Sequence, residues 1–139
     1  MKILCIDSVS RVMRVELFNG EKWIERVSEM SPESKHDKRV VSLVDAVLRE
    51  GELTLGEVDT FAVCVGPGGF TGPRVGVAAV LGFCLVHPKP IVALGEYSRD
   101  EILRKVGAGE FTKIEELEPH YNGEYVVNFN LVRESGGHR

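Results

Sequence analysis

The stretch Phe61–Val86, FAVCVGPGGFTGPRVGVAAVLGFCLV, decides how this chain is read. It opens with Phe61-Ala62-Val63-Cys64-Val65, an apolar run whose length and content suit a buried strand. Gly66-Pro67-Gly68-Gly69 then interrupts any regular element. Thr71 stands where it can cap a helix, and Pro73 is tolerated in a first turn because its missing N–H would be unpaired anyway. From Arg74 to Val86 no further charge occurs, and His87-Pro88 closes the run. Strand, glycine turn and helix make a βα unit.

The turn has two possible uses. Glycine turns that lead into helices cradle phosphate, because free N–H groups and the helix dipole favour an anion. A P-loop, however, needs Lys followed by Ser or Thr after its last glycine, and here Gly72 is followed by Pro73-Arg74. The spacing G-x-G-x-x-G, read from Gly66 and Gly68, ends on Thr71 instead of glycine. A tight turn that lets the helix pack closely on a sheet is the better reading. Wound at about 100° per residue, Gly72, Gly76, Ala79 and Gly82 fall on one side of the helix, small enough for that approach. Arg74, Val77, Ala78, Leu81, Cys84 and Leu85 fall opposite. A helix apolar all round is covered on more than one side, so the Val77/Leu81/Leu85 face needs another helix or another protein. The run is too short to span a membrane.

The length of 139 residues fits one domain, and 43% hydrophobic content is ordinary for a globular chain. Seventeen basic against 21 acidic residues give a net charge of −4, without the basic excess that direct nucleic-acid binding calls for. Cys5, Cys64 and Cys84 sit in apolar runs with no metal spacing, and read as core residues of a reducing compartment. Met1 runs straight into a strand, so no signal peptide is expected and the expected location is cytoplasmic.

In chain order, Ile3–Ile6 is a continuous apolar run ending at Asp7, a central strand with a carboxylate at its C-terminal end. Val12–Phe18 alternates, with Met13, Val15 and Leu17 on one face and Arg14 and Glu16 on the other. Asn19-Gly20 signals a hairpin, and Lys22–Val27 returns as a third strand. Ser31–Ser34 starts a helix, Ser34 and Asp37 having capping-box-like spacing. Val40, Val41, Val44, Val47 and Leu48 form its stripe, and Gly51 ends it. After the βα unit come a short strand, Ile91–Leu94, and a charged amphipathic helix, Tyr97–Val106. Tyr125–Val132 fits an edge strand, and 134–139 a frayed tail. The order β-β-β-α-β-α-β-α gives an α/β fold of ribonuclease-H-like type. A nuclease of that fold gathers several carboxylates on a metal pair. Asp7 suits this, but Gly66-Pro67 stands where a second acid is wanted.

Three segments together carry a resemblance: CIDSVSRVMRVELFNGEKW, SKHDKRVVSLVDAVL and LTLGEVDTFAVCVGPGGFTGPRVGVAAVLG. In content, order and spacing they resemble the TsaB (YeaZ) family of tRNA threonylcarbamoyladenosine (t6A) biosynthesis proteins, formerly called glycoprotease-like or peptidase M22-like. The family's GPGSFTGLRIG-type turn is matched at Gly66, Pro67, Gly68, Phe70, Thr71, Gly72, Arg74 and Gly76, with Gly69 for Ser and Pro73 for Leu. The likeness covers residues 1–106, with a trace at Glu118-Pro119-His120-Tyr121.

The resemblance implies one ribonuclease-H-like lobe of the actin/heat-shock-chaperone superfamily at 1–106, with 107–139 as an extension on or beside it. Full-length members carry a second lobe between the equivalents of Leu103 and Glu118, where this sequence has only residues 104–117. It also implies a non-catalytic scaffold for the TsaD-type enzyme, alongside a TsaE-like ATPase. Self-pairing is expected when the partner is absent, contact with tRNA only indirectly, and neither cofactor nor metal. The expected interface is Val44, Val47, Arg74, Val77, Leu81 and Leu85. The alternative is a nucleotide-binding or hydrolytic enzyme of that superfamily using Asp7, Ser8, Gly66 and Gly68 in the Gly66–Gly69 turn, Asp7 matching the superfamily's first phosphate-loop aspartate. Structurally, Asp7 would instead cap the following turn through Ser8 or Ser10. His36 falls at one of two metal-binding histidine positions in the TsaD-type paralogue, but Val40 holds the other, and one His is no metal site. Ser8, Ser10 and Thr71 lack the His or acid partner a nucleophile needs. Trp23 and Tyr121 read as packing residues.

Overall fold

A computed structural model describes residues 1–9, 12–29, 36–67 and 72–120. Strands β1 (Ile3–Asp7), β2 (Val12–Phe18), β3 (Trp23–Glu29), β4 (Thr60–Cys64) and β5 (Ile91–Leu94) form one sheet in the order β3-β2-β1-β4-β5. β2 is antiparallel to both β1 and β3, and β4 is parallel to both β1 and β5. This is the ribonuclease-H-like α/β arrangement that the element order predicts. Helices α1 (His36–Glu50), α2 (Gly72–Val86) and α3 (Arg99–Ala108) complete it.

The sheet's two faces differ as the residue types require. Leu4, Ile6, Met13, Val15, Leu17, Phe61 and Val63 pack against α1 and α2 in the larger core. Ile3, Cys5, Ala62, Cys64, Val92 and Leu94 pack on the other face, where α3 contributes Ile102. β1 is buried at every position, as its unbroken apolar run anticipates.

The hairpin forms, but its loop is four residues long, Phe18 pairing with Trp23. Asn19 holds it: its Oδ1 accepts the N–H groups of Glu21 and Lys22, each at 3.0 Å. Gly51 does follow α1, yet the left-handed residue there is Glu52 (φ 56°). Glycine at 51 spares a displacement in the core, since a Cβ would lie 2.6 Å from Leu17 Cδ2. Ser98 caps α3, its Oγ accepting the Glu101 N–H at 3.1 Å, so Tyr97 precedes the helix. The Ser31–Ser34 helix start, the Ser10 and Thr71 caps and the Tyr125–Val132 strand lie outside the described residues.

The rotation of α2 corrects the sequence expectation. Gly76 does lie on the sheet, where a Cβ would come within 3.2 Å of Val63 Cγ2 and 3.3 Å of Ile6 Cγ2. Val77, Val80 and Cys84 lie there too, all buried. Gly82 points outward, with no atom near its Cβ position. Close approach thus occurs at Gly76 and not at Gly82, while Val77, Val80 and Cys84 fill space in the core farther along the helix. After α3 the chain returns along β5: Thr112 N–H donates to Ile91 O at 2.7 Å, Leu117 enters the larger core, and His120 N–H donates to Val65 O at 2.6 Å.

Gly76→Ala tests the close approach, because its sign is the reverse of the ordinary helix preference. In an open helix the change gains about 1 kcal/mol. Here overpacking should cost about 1–3 kcal/mol in urea unfolding. A gain would place the helix farther from the sheet than described.

Candidate functional site

At the C-terminal ends of β1, β4 and β5 the chain encloses a cleft of about 770 Å³, lined by Asp7, Val9, Arg14, Cys64, Pro67, Gly95, Glu96 and Tyr97. Parallel strands end together, so the loops that follow them converge on one side. Asp7 is buried. Its Oδ1 accepts the Val9 N–H at 3.1 Å, and its Oδ2 lies 4.0 Å from Arg14 Nη1, the residue opposite it in the register. Asp7 thus caps its turn at the Val9 N–H, and the expected contact with Ser10 lies outside the described residues. Arg14 also lies 3.0 Å from Glu25 Oε2 and sits 5.0 Å over the Tyr97 ring. A cation seeking the Asp7 carboxylate thus meets a guanidinium beside it.

Ser8 faces away from the cleft. It is fully buried, and its Oγ accepts the Gly76 N–H of α2 at 3.0 Å. Gly66 is buried at φ 100°, a conformation that favours glycine. Gly68 lies outside the described residues. Among the described residues, no three of His, Cys, Asp or Glu converge into a metal-binding group.

The expected interface separates into core and surface. Val44, Val47 and Val77 are buried within the chain and cannot meet a partner without unfolding it. Leu81 is half-buried against the larger core. Arg74 and Leu85 are exposed, Leu85 at 84%. Sequence reasoning missed Val86 (73% exposed) and Val41 (60%). Between α1 and α2 runs a groove of about 530 Å³ whose walls include Val40, Val41, Val75, Ala79 and Phe83, with Arg74 at its edge. For Val77 the misassignment follows from the rotation of α2, whereas Val44 and Val47 lie on the core side of α1.

A second miss lies on the α3 face. Glu16, expected on the polar face of its strand, has no exposed surface. Arg99, the first residue of α3, closes over it with Nε and Nη2 at 2.9 and 2.8 Å from the two carboxylate oxygens. The same guanidinium stacks 5.1 Å over Trp23, which packs on Phe18 with ring centroids 5.0 Å apart. Burial raises the Glu16 carboxyl above its ordinary range; Arg99 opposes this and Glu25 adds to it. Cys5, beside Cys64 on this face, is raised well above the thiol range by its hydrogen bond to Cys64 and then by burial, as befits an inert core residue.

A family model described as "TsaD: tRNA N6-adenosine threonylcarbamoyltransferase" matches residues 25–97, the segment from β3 through β5. The chain is 30% identical over 95 residues to the tRNA threonylcarbamoyladenosine biosynthesis protein TsaB of Haemophilus influenzae, and 29% identical over 94 residues to that of Escherichia coli. The chain belongs to this family, on its TsaB (YeaZ) branch. Each alignment takes in 68% of the chain but only 39% and 40% of the two relatives, so this TsaB-family chain spans about 40% of the length of the curated relatives it matches. The solved structure of YeaZ from Pseudomonas aeruginosa superposes with a TM-score of 0.63 at 23% identity, over 78% of this chain and 49% of that one, and shares the fold. No helix among the described residues is long and apolar enough to cross a membrane.

Glu16 and Arg99 yield a prediction with a defined sign. A carboxyl raised in the fold contributes stability below its unfolded value, about 4.3, and loses that contribution as pH rises through the raised value. Wild type should therefore gain stability relative to Glu16→Gln as pH falls from 7.5 toward about 4.5. The exposed Glu57, Glu101 and Glu110 are lowered by their hydrogen bonds and have the opposite sign, but are common to both proteins and cancel. Arg99→Ala strips Glu16 of its guanidinium and should cost about 2 kcal/mol at pH 7.5. Most of that cost should vanish in the Glu16→Gln background. Urea unfolding of the four proteins decides it: equal costs in both backgrounds would mean the pair is not coupled.

Proposed function

We propose that this TsaB-family chain is a non-catalytic partner subunit of a TsaD-type enzyme in t6A modification of tRNA. The observation that carries the reading is the outward face of α2: Leu85 and Val86 are exposed on the helix that forms one wall of the apolar groove to α1. Apolar side chains gathered at a rimmed groove mark a protein-binding surface, and two curated relatives are themselves named as t6A biosynthesis proteins. Arg74 lies at the groove's edge, where a charged residue fits the rim of an interface. Without the partner, two copies would pair through the same helices across a two-fold axis. A TsaE-like ATPase joins the enzyme complex and tRNA is reached through the enzyme, in keeping with the net charge of −4. The chain is expected to work in the cytoplasm.

The cleft beside Asp7 supports a second reading, a nucleotide-binding or hydrolytic enzyme. Titration of the pure protein with ATP and magnesium separates the two, since tight binding with turnover supports the second alone.

Leu85→Glu tests the first. Burial of one leucine contributes roughly 1.5–3 kcal/mol, so placing a charge there should weaken capture of the TsaD-type protein on the order of a hundredfold. The melting temperature should barely move, because Leu85 packs on little of its own chain. Val77→Glu, at a buried site, should unfold the protein instead. Unchanged capture by Leu85→Glu would remove this face from the interface.

A further inference from the structure

We propose that Ser8 is a positioning residue for the docking face of α2, its buried hydroxyl setting where that helix lies on the sheet. The inference rests on the partner reading above. Ser8 follows Asp7 at the end of β1 and has no exposed surface. Its Oγ accepts the Gly76 N–H at 3.0 Å. That N–H belongs to the second turn of α2, where its ordinary acceptor is the carbonyl four residues back. A side-chain acceptor at such a point ties the helix to the strand end that carries it.

The same oxygen is also a spacer. A Cβ on Gly76 would stand 3.0 Å from it, as close as any approach that α2 makes at this residue. The hydroxyl therefore both pulls the helix in and limits how near it comes. The turn that carries Ser8 is itself held, since Asp7 Oδ1 accepts the Val9 N–H. The exposed residues lie downstream of this pivot. Leu85 is nine residues beyond Gly76, about 13.5 Å along the axis, so a tilt of about 10° at Gly76 moves it by about 2 Å. A shift of that size is enough to lose close packing against a partner. The Asp7 cleft and the α2 face, which lie on opposite sides of β1's end, thus share one turn.

The test measures affinity for the TsaD-type protein, at a temperature where every variant is folded by near-ultraviolet circular dichroism. Ser8→Ala should weaken binding about tenfold. Ser8→Cys keeps the volume but is a weak acceptor, and should lose a comparable factor. That variant guards against Ser8→Ala failing through a cavity. Amide hydrogen exchange should quicken at Gly76 in both, with α1 unchanged. A double-mutant cycle with Leu85→Ala separates positioning from general destabilisation. Once the helix is displaced, Leu85 has less to lose, so the two losses should fall short of additive. Full additivity, or wild-type affinity in both Ser8 variants, overturns the positioning role alone. If the wild-type chain binds no TsaD-type protein, the partner reading fails and the docking role of Ser8 fails with it.

Discussion

β1 is antiparallel to β2 on one side and parallel to β4 on the other. A strand in that position has no polar edge and no solvent face, which is why Ile3–Ile6 is apolar without interruption. It also gathers the ends of β1, β4 and β5 at one rim of the sheet, because parallel strands finish together. Asp7 is the first residue of β1 that can be polar, and it reaches that rim. The cleft is the direct result of where the strand direction changes.

The two faces of the sheet solve different problems. Two helices cover one face, and the core there is almost wholly apolar. Among the described residues a single three-turn helix covers the other, and polar and aromatic groups lie at the β2–β3 end of that face. Glu16 is tolerated because Arg99 meets both its oxygens, and the guanidinium lies over the Trp23 ring. Arg14 repeats the pattern on Tyr97, beside Asp7 and Glu25. These pairs add to the apolar contacts of Ile102 and Val106 in holding α3 against the sheet. With Glu16 buried and Arg99 partly exposed, such a pair adds little net stability over apolar residues of the same shape.

Strand order was legible in the sequence because uninterrupted and alternating apolar runs distinguish a central strand from one with a polar face. The βα unit at Phe61–Val86 was legible from its glycine break. The rotation of α2 was not. A helix that is apolar on every side has no direction to report, and the small residues pointed to a face that Gly76 occupies but Gly82 does not. Glu16 was missed for a related reason. Alternation places a residue on a face but says nothing of what covers that face, and its cover, Arg99, lies 83 residues away. At the candidate site, Asp7 was visible as a carboxylate ending an apolar run. Arg14 became its neighbour only once the register was known.

The bridge between Thr112 and Ile91 has a consequence for how this molecule can assemble. The outer edge of β5 offers carbonyls that another strand would normally seek. Ile91 O already accepts the Thr112 N–H, and Ala93 O accepts Lys105 Nζ at 3.2 Å. At the opposite edge, β3 presents Glu25, Arg26 and Glu29, with Arg26 tied to Glu50. Such occupied or charged margins discourage growth of the sheet by strand addition. Among the described residues, both margins of the sheet are thereby poorly suited to filament-like stacking of copies along it.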